Sequence, residues 1–364
     1  MFKKILQKIF SRKIVPFPLP KYDPDTHYLQ VGKSKYFREL MILRHHIKMA
    51  SDHYWSDIQK AYNVDLFMLT PSVSSPMGPG SDSEAIEIKF GDLNTYLVDS
   101  SQFGFEPILM NDIEKVYCYL PSLRGENPDK RHLNQFFHCE AEIKGTLQDL
   151  KPQVEGYVRH LAKVMLSQKA ILKLISADYE VTIQKLEDLL KTNKFAEIEF
   201  DEAFGLLIES GFEKYTNQTA HGRDISSKGE LELMKILKTS TPIWINNYDR
   251  DRAAFYQKPH KKNPNKVINS DLIFPAILKT SFGGEIVGAG ERQNNVKQIF
   301  ESLERQGISS APYEWYINLR RQRSYSTTSG FGLGVERFIA WTLNRDDIKD
   351  VIVYPRLKNI LTHP

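Results

Sequence analysis

The sequence predicts an α+β fold built around a largely antiparallel sheet. Three observations lead there: strand-forming segments dominate both ends of the chain, helical periodicity dominates the middle, and two glycine-rich strands lie near the C-terminal end, the second leading into an apolar helix. A doubly wound parallel sheet would alternate strand and helix throughout. The chain has 364 residues, 41% hydrophobic and 26% charged, with a formal charge of +4, which suits a globular protein of one or two domains. Disorder, a collagenous repeat and a disulfide miniprotein are excluded. No apolar run approaches the ~18–20 residues that cross a bilayer. The opening MFKKILQKIFSRKIVPFPLP has bases scattered through it and no small-residue cleavage pattern, so a cytoplasmic protein without a membrane partner is expected. Cys118 and Cys139 are too few for a disulfide framework or a cysteine-rich zinc site, and the charge is too mild to demonstrate nucleic-acid binding.

Along the chain, Lys3, Lys4, Lys8, Arg12 and Lys13 accompany Phe2, Ile5, Leu6, Ile9 and Phe10 at helical spacing, an arm suited to a polyanion or a membrane surface. A terminal helix packed on its own domain is the blander reading. Residues 35–62 read as one long helix, because Phe37, Leu40, Met41, Ile47, Tyr54, Ile58 and Ala61 follow three-and-four spacing. Asp65–Leu69 reads as a strand ended by Thr70-Pro71, and SVSSPMGPGSDSEA as a loop. Short strands follow near 85–90, 95–98, 115–123 and 134–143. The last two are separated by GENPDKRHL, longer and more charged than the two to five residues a hairpin requires, which makes the loop a candidate site. Alternation puts Phe136, His138, Glu140 and Glu142 on one face of strand 134–143 and Gln135, Phe137, Cys139 and Ala141 on the other. Residues 144–240 read as a mostly helical connecting or inserted region. Strand signals return with PIWINNY, residues 267–274, GGEIVGAGER and SGFGLGVERFIAWTL.

No Walker A, GxSxG, HExxH or CxxC pattern occurs, and GFGLG lacks the spacing of a dinucleotide fold. What stands out is a density of arginines and acids on strands and strand loops: Arg124, Glu126, Arg131, His132 and Glu140 in one hairpin, Asp271 and Glu285 near the glycine strand, and Arg292 and Arg337 beyond. Guanidinium groups present paired donors to phosphate and carboxylate oxygens, and paired carboxylates suit magnesium arriving with a nucleotide. Each feature alone is more often a surface ion pair, and a glycine cluster is more often a bulge or close-packing device.

Together they resemble the catalytic domain of class II aminoacyl-tRNA synthetases, in the subgroup of the asparaginyl and aspartyl enzymes and the related asparagine synthetase. VYCYLPSLRGENPDKRHLNQFFHCEAEI is similar to this group's second motif, and SGFGLGVERFIAWTLNRDDIKDVIVYPR, with Arg337, to its third. LFMLTPSV is similar to the first motif, whose proline, here Pro71, lies at a dimer interface in the family. The likeness continues through TPIWINNYDRDRAAFYQK, DLIFP, GGEIVGAGER and YEWYINLRR and is nearest to the asparaginyl subtype. It implies a basic arm over 1–33 and one synthetase-type unit over 34–364, with a helical insertion at about 144–240.

The resemblance implies an ATP-dependent ligase, a homodimer, that joins an amino-acid carboxylate to the α-phosphorus of ATP and then passes the acyl group on. Both reactants are anionic, so such catalysis is electrostatic and positional and needs no covalent protein nucleophile. By the same resemblance Arg124 binds α-phosphate and carboxylate, Phe136 stacks on adenine, and Arg337 stacks on its other face. Glu126, Arg131 and His132 belong to the loop that closes on ATP, and Asp271 and Glu285 hold Mg2+. Ser100, Gln102 and Glu140 surround the α-amino group, and Arg292, seven residues after Glu285, donates to the side-chain oxygen. Phe105, followed by Glu106, stands where aspartyl enzymes carry a lysine. A Glu106 carboxylate facing the substrate accepts from an amide and repels a carboxylate, so asparagine is expected over aspartate.

The chain departs from the family in places. Too few residues precede the long helix for the β-barrel of about a hundred residues that reads the anticodon, so RNA recognition is expected to be reduced or different. Gln135 stands where the family usually has glutamate, and the stretch from Asp271 to Glu285 is longer than usual. The acceptor could therefore be a small amine, a peptide, a carrier or a tRNA acceptor stem. Two other readings remain: an asparagine synthetase working on aspartate and ammonia, against which Phe105 argues, and a non-catalytic paralogue, against which Arg124, Glu285 and Arg337 argue.

Overall fold

The computed structural model describes residues 15–74, 83–219 and 221–363. The basic segment 1–13 and most of the SVSSPMGPGSDSEA loop lie outside the described residues. In chain order the strands are β1 (Tyr62–Asn63), β2 (Leu69–Thr70), β3 (Glu87–Phe90), β4 (Leu93–Leu97), β5 (Lys115–Leu123), β6 (Gln135–Lys144), β7 (Ala196–Glu199), β8 (Thr216–Thr219), β9 (Gly222–Ile225), β10 (Ile243–Asn246), β11 (Asn269–Phe274), β12 (Gly284–Glu291) and β13 (Thr328–Gly334). Eight form the principal sheet in the order β1-β5-β6-β13-β12-β11-β10-β7. Its internal pairings are antiparallel, and only the edge strands β1 and β7 run parallel to their neighbours. The predicted antiparallel α+β architecture is the one observed.

The period of two along each strand sorts the sheet into a buried and an open face. Cys139, Ala141, Leu272, Phe274, Val287, Ala289, Phe331 and Leu333 belong to one core with residues of helices Lys35–Asp52, Leu147–Ser167 and Val335–Leu343. On the opposite face, Ile243, Ile245 and Ile273 pack under helices Phe200–Glu209 and Ser227–Ile236, which cover the sheet from the β7 edge to the start of β12. The remainder of that face stays open and carries the site.

The long helix differs from expectation at its end. It starts where the Ser34 side chain accepts from Tyr36 N–H, runs as α-helix over Lys35–Asp52 and ends as a π-helical turn over His53–Ile58. Lys60 adopts a positive φ of 57°, which no continuing helix allows, so Tyr62 enters a strand instead. Met41 and Ile58, read as part of the apolar stripe, are exposed. The strand expected at Asp65–Leu69 is reduced to Leu69–Thr70 pairing with β4, while Tyr62–Asn63 pairs with β5. Residues 144–240 are mostly helical, and helix Leu147–Ser167 buries Leu150, Val154, Tyr157, Val158, Leu161 and Met165 behind the sheet. The same stretch also supplies β7 and the β8–β9 hairpin.

Candidate active site

Two adjoining cavities of about 570 and 610 Å3 lie on the open face, and Arg124, His138, Glu285 and Gly332 line both. Strand β6 runs from one to the other. Its alternation puts Phe136 on the first cavity, His138 on both and Glu140 on the second, with the Phe136 and His138 ring centroids 4.7 Å apart.

In the first cavity Arg124, directly after β5, has its guanidinium carbon 5.4 Å from the Phe136 ring centroid. Its Nε is buried without a hydrogen-bond partner. Buried polar groups are normally satisfied, so an orphaned guanidinium nitrogen marks a position suited to a ligand anion. Arg337, in the first turn of the helix that follows β13, donates through Nη1 to the Glu285 backbone oxygen at 3.1 Å and to Oε2 at 3.0 Å. Arg131 sits 4.5 Å from the Phe282 ring centroid, with Nη1 donating to the Gly283 carbonyl and Nε unpartnered. Burial, then repulsion from Arg337, lowers the pKa values of Arg131 and His132. Glu126 Oε2 accepts from Glu84 N–H at 3.3 Å.

The two acids predicted for a metal lie on β11 and β12. Asp271 pairs with Gly288, and Leu272 and Ile273 pair with Val287 and Glu285, which leaves Ile286 as an extra residue. This bulge turns Glu285 to the same face as Gly288, three residues along, where unbroken alternation would send it to the opposite face. A Cβ added to Gly288 would lie 3.4 Å from Glu285 Oε1 and 3.5 Å from Asp271 Oδ1, so the carboxylates converge on one space. Burial, then Glu285 and Glu230, raises Asp271 well above the usual carboxylate range. Burial alone would raise Glu285 too, but Arg337, Arg124 and Arg131 outweigh it and hold Glu285 low. Among the described residues, no group of three or more His, Cys, Asp and Glu side chains could hold a metal by itself. A carboxylate pair that strains to keep both charges fits Mg2+ brought by a polyphosphate, which needs only one or two protein carboxylates.

In the second cavity Glu140 accepts from the Ser100 hydroxyl and from Ser101 N–H at 2.8 Å, and Gln102 donates to the Tyr256 hydroxyl. Arg292 donates through Nε and Nη2 to Glu142 at 2.9 and 2.8 Å, with 4% of its side chain exposed. Burial opposes the charge, but Glu142 outweighs burial and holds the guanidinium charged. The glycines of β12 and β13 form the floor, because a Cβ on Gly290 would strike the Gln257 amide and one on Gly330 the Glu142 carboxylate and the Arg292 guanidinium.

Every residue predicted for the site lines one of these cavities except Glu106. Here the expectation is corrected. Phe105 and Leu109 of the short helix Phe105–Leu109 anchor in a cluster with Val116 and Cys118. That anchoring turns Glu106 into the protein, where it pairs with Arg320 at 2.6 Å and accepts from the Tyr316 and Tyr325 hydroxyls. The expected carboxylate facing a substrate amide is absent, and a lysine at 105 would be buried rather than presented to a ligand.

Sequence reasoning missed three residues. His138 shared the notable face of β6, a signal that was available. It accepts from or donates to Ser122 at 2.9 Å, and burial, then Arg124 and Arg337, pushes its pKa well down, so it is neutral. Tyr256 carried no local signal. Glu230 comes from helix Ser227–Ile236, where nothing local distinguishes it; it accepts from Glu285 N–H at 3.0 Å, lies 3.9 Å from Arg131, and is raised to about 7, chiefly by burial. No helix among the described residues is long and apolar enough to cross a membrane.

An antiparallel sheet backed by helices, with arginines and a carboxylate pair on its open face, is the architecture of class II synthetase catalytic domains. The chain belongs to the family of tRNA synthetases class II (D, K and N), whose model matches residues 21–358. Its relatives include asparagine–tRNA ligases from Thermoplasma acidophilum, 29% identical over 79% of this chain and 63% of the relative, and from Pyrococcus abyssi, 31% identical over 74% and 58%. The chain thus spans about 60% of the length of such relatives. The crystal structure of asparaginyl-tRNA synthetase from Pyrococcus horikoshii complexed with asparaginyl-adenylate superposes with a TM-score of 0.81, at 26% identity, covering 95% of this chain and 76% of that one. The asparaginyl-tRNA synthetase of Entamoeba histolytica, at 23% identity and a TM-score of 0.77, shares the fold.

Proposed function

We propose that this chain activates an amino acid, asparagine in preference to aspartate, as the aminoacyl-adenylate at the expense of ATP, and then passes the acyl group to a nucleophile. One observation carries the reading: Arg124, with an unpartnered buried Nε, lines both cavities, so a single guanidinium can hold the α-phosphate of a nucleotide in one and the carboxylate of an amino acid in the other. The relatives' names support the substrate.

Phe136 and Arg337 offer flat faces for the adenine ring, and Arg131 and His132 line the wall where the polyphosphate would run. Asp271 and Glu285 would hold Mg2+, which supplies charge neutralisation on the phosphates when bound. Glu140 and Gln102 suit an α-ammonium group, and Ser100 holds the Glu140 carboxylate in place. Both anions are then neutralised before they meet, and the fixed donors need not reorganise as the carboxylate attacks the α-phosphorus. Neutral His138 at the junction adds no second positive charge to compete with Arg124.

Selectivity rests on the paired state of Arg292. Glu142 already balances its charge, so a substrate carboxylate would arrive uncompensated, while an amide oxygen can accept from Nη1. Because the wrong partner leaves buried polar groups unpaired, such discrimination can be large. A tRNA end is the acceptor that the relatives' names favour, and exposed Pro71, beside Phe67 and Met68, suits a dimer contact.

ATP–pyrophosphate exchange with each of the twenty amino acids tests the reading. Exchange with asparagine above all others supports it. Aspartate-dependent AMP release that requires ammonia, or silence with every amino acid, would overturn it.

A further inference from the structure

We propose that Asn134 is a positioning residue, an amide strut through which the C-terminal tail sets the place of Arg124 and of the loop that starts there. The proposal rests on the ATP reading above and goes beyond it, since Asn134 lines neither site cavity.

Asn134 is 8% exposed and closes the loop that Arg124 opens. Its Nδ2 donates to the Arg124 carbonyl and to the Glu126 carbonyl, both at 2.7 Å, and its Oδ1 accepts from Lys358 N–H at 2.5 Å. Its backbone does the same work: Arg124 N–H donates to Asn134 O at 3.0 Å, and Asn134 N–H to Arg356 O at 3.1 Å. Two carbonyls facing one end of the amide and an N–H facing the other fix its orientation, and no other side chain of that size offers both functions. The loop start, the loop end and residues 356–358 of the tail therefore meet at one side chain.

The arrangement matters because Arg124 has little else to hold it. Its Nε has no protein partner, no salt bridge holds it among the described residues, and its guanidinium carbon rests 5.4 Å from the Phe136 ring centroid. A guanidinium kept free for a ligand must be aimed by its backbone, and a displacement near 1 Å is enough to cost about a hundredfold in a reaction that depends on position. The tail is tied down separately by Lys358 Nζ, 3.0 Å from Glu84, whose backbone oxygen accepts from Gly125 N–H at 2.6 Å.

The test compares Asn134→Asp, Lys358→Pro and Lys358→Ala in the full chain. Asn134→Asp keeps the shape and the acceptor but turns an oxygen toward two carbonyl oxygens. Lys358→Pro removes the N–H that the amide accepts from, whereas Lys358→Ala keeps it. In pyrophosphate exchange the first two should raise the KM for ATP at least tenfold with the amino-acid KM within twofold, and Lys358→Ala should leave both within twofold. Equal rises in both KM values, an unchanged ATP KM, or a Lys358→Ala variant that behaves like Lys358→Pro would overturn the proposal. Backbone hydrogen exchange separates its failure from failure of the ATP reading. If the wild-type chain catalyses no exchange, faster amide exchange confined to 124–134 and 356–358 in Asn134→Asp still supports the strut, and an unchanged pattern overturns it.

Discussion

Replacing Arg124 with alanine should separate function from stability more cleanly than any other substitution at the site. A buried charged group usually cannot be removed without orphaning a partner, at a cost of about 3–5 kcal/mol for a buried ion pair. Arg124 differs. Its Nε has no partner, no salt bridge involves it among the described residues, and its contact with the Phe136 ring at 5.4 Å is worth about 0.5–1 kcal/mol. Arg124→Ala also relieves an unsatisfied buried donor, which offsets a similar amount. The net change in stability should lie within about 1 kcal/mol, a shift in Tm of no more than about 1–2 °C for a chain of this length. Loss of a preorganised donor to developing charge should lower kcat about 10²- to 10³-fold. Calorimetry and pyrophosphate exchange on the same preparation provide both numbers. A Tm fall of ten degrees, or exchange within threefold of wild type, would refute the reasoning that Arg124 is held free for a ligand.

Three further outcomes follow from the geometry. Glu230 is raised in the folded state to about 7, so folded protein binds more protons than unfolded protein between roughly pH 4.5 and 7, and stability contributed by this group is lost as pH rises through that window. Glu230→Gln should flatten the decline, worth up to about 3 kcal/mol, and denaturant midpoints measured across pH that are parallel for the two proteins would contradict it. Glu106→Ala leaves Arg320 buried and unpaired and should cost about 3–5 kcal/mol, visible in urea unfolding, while the asparagine-to-aspartate preference of the folded fraction stays unchanged. Gly330→Ala drives a methyl into the Glu142–Arg292 pair and should raise the amino-acid KM at least tenfold with the ATP KM within twofold; equal changes in both would count against a divided site.

Much of this arrangement could be read from residue order, and the exceptions have physical causes. The alternation of Phe136, His138 and Glu140 is a local property of a strand, and so the cavity-facing side of β6 was legible before any coordinates. The glycines of β12 and β13 could be noticed but not explained, because the side chains that fill their place, Gln257, Glu142 and Arg292, come from elsewhere in the chain. Glu285 reaches Asp271 through a bulge at Ile286, which local pattern does not announce. Glu106 was misplaced because one turn of helix, anchored by Phe105 and Leu109, decides which way it points. Glu230 meets Glu285 and Arg131 far along the chain, and Asn134 bonds across its own loop and to the tail, so no local periodicity could single them out.

Two cavities that share Arg124 are proposed to hold a nucleotide joined to an amino acid. A crystal structure of the chain with a non-hydrolysable asparaginyl-adenylate analogue tests this most directly. The adenine ring is expected between Phe136 and Arg337, the phosphate at Arg124 and the asparagine side chain at Arg292. Density for the analogue anywhere else, such as the cavity beside Tyr96 and Leu357, with the Arg124 pocket holding only water, would contradict it.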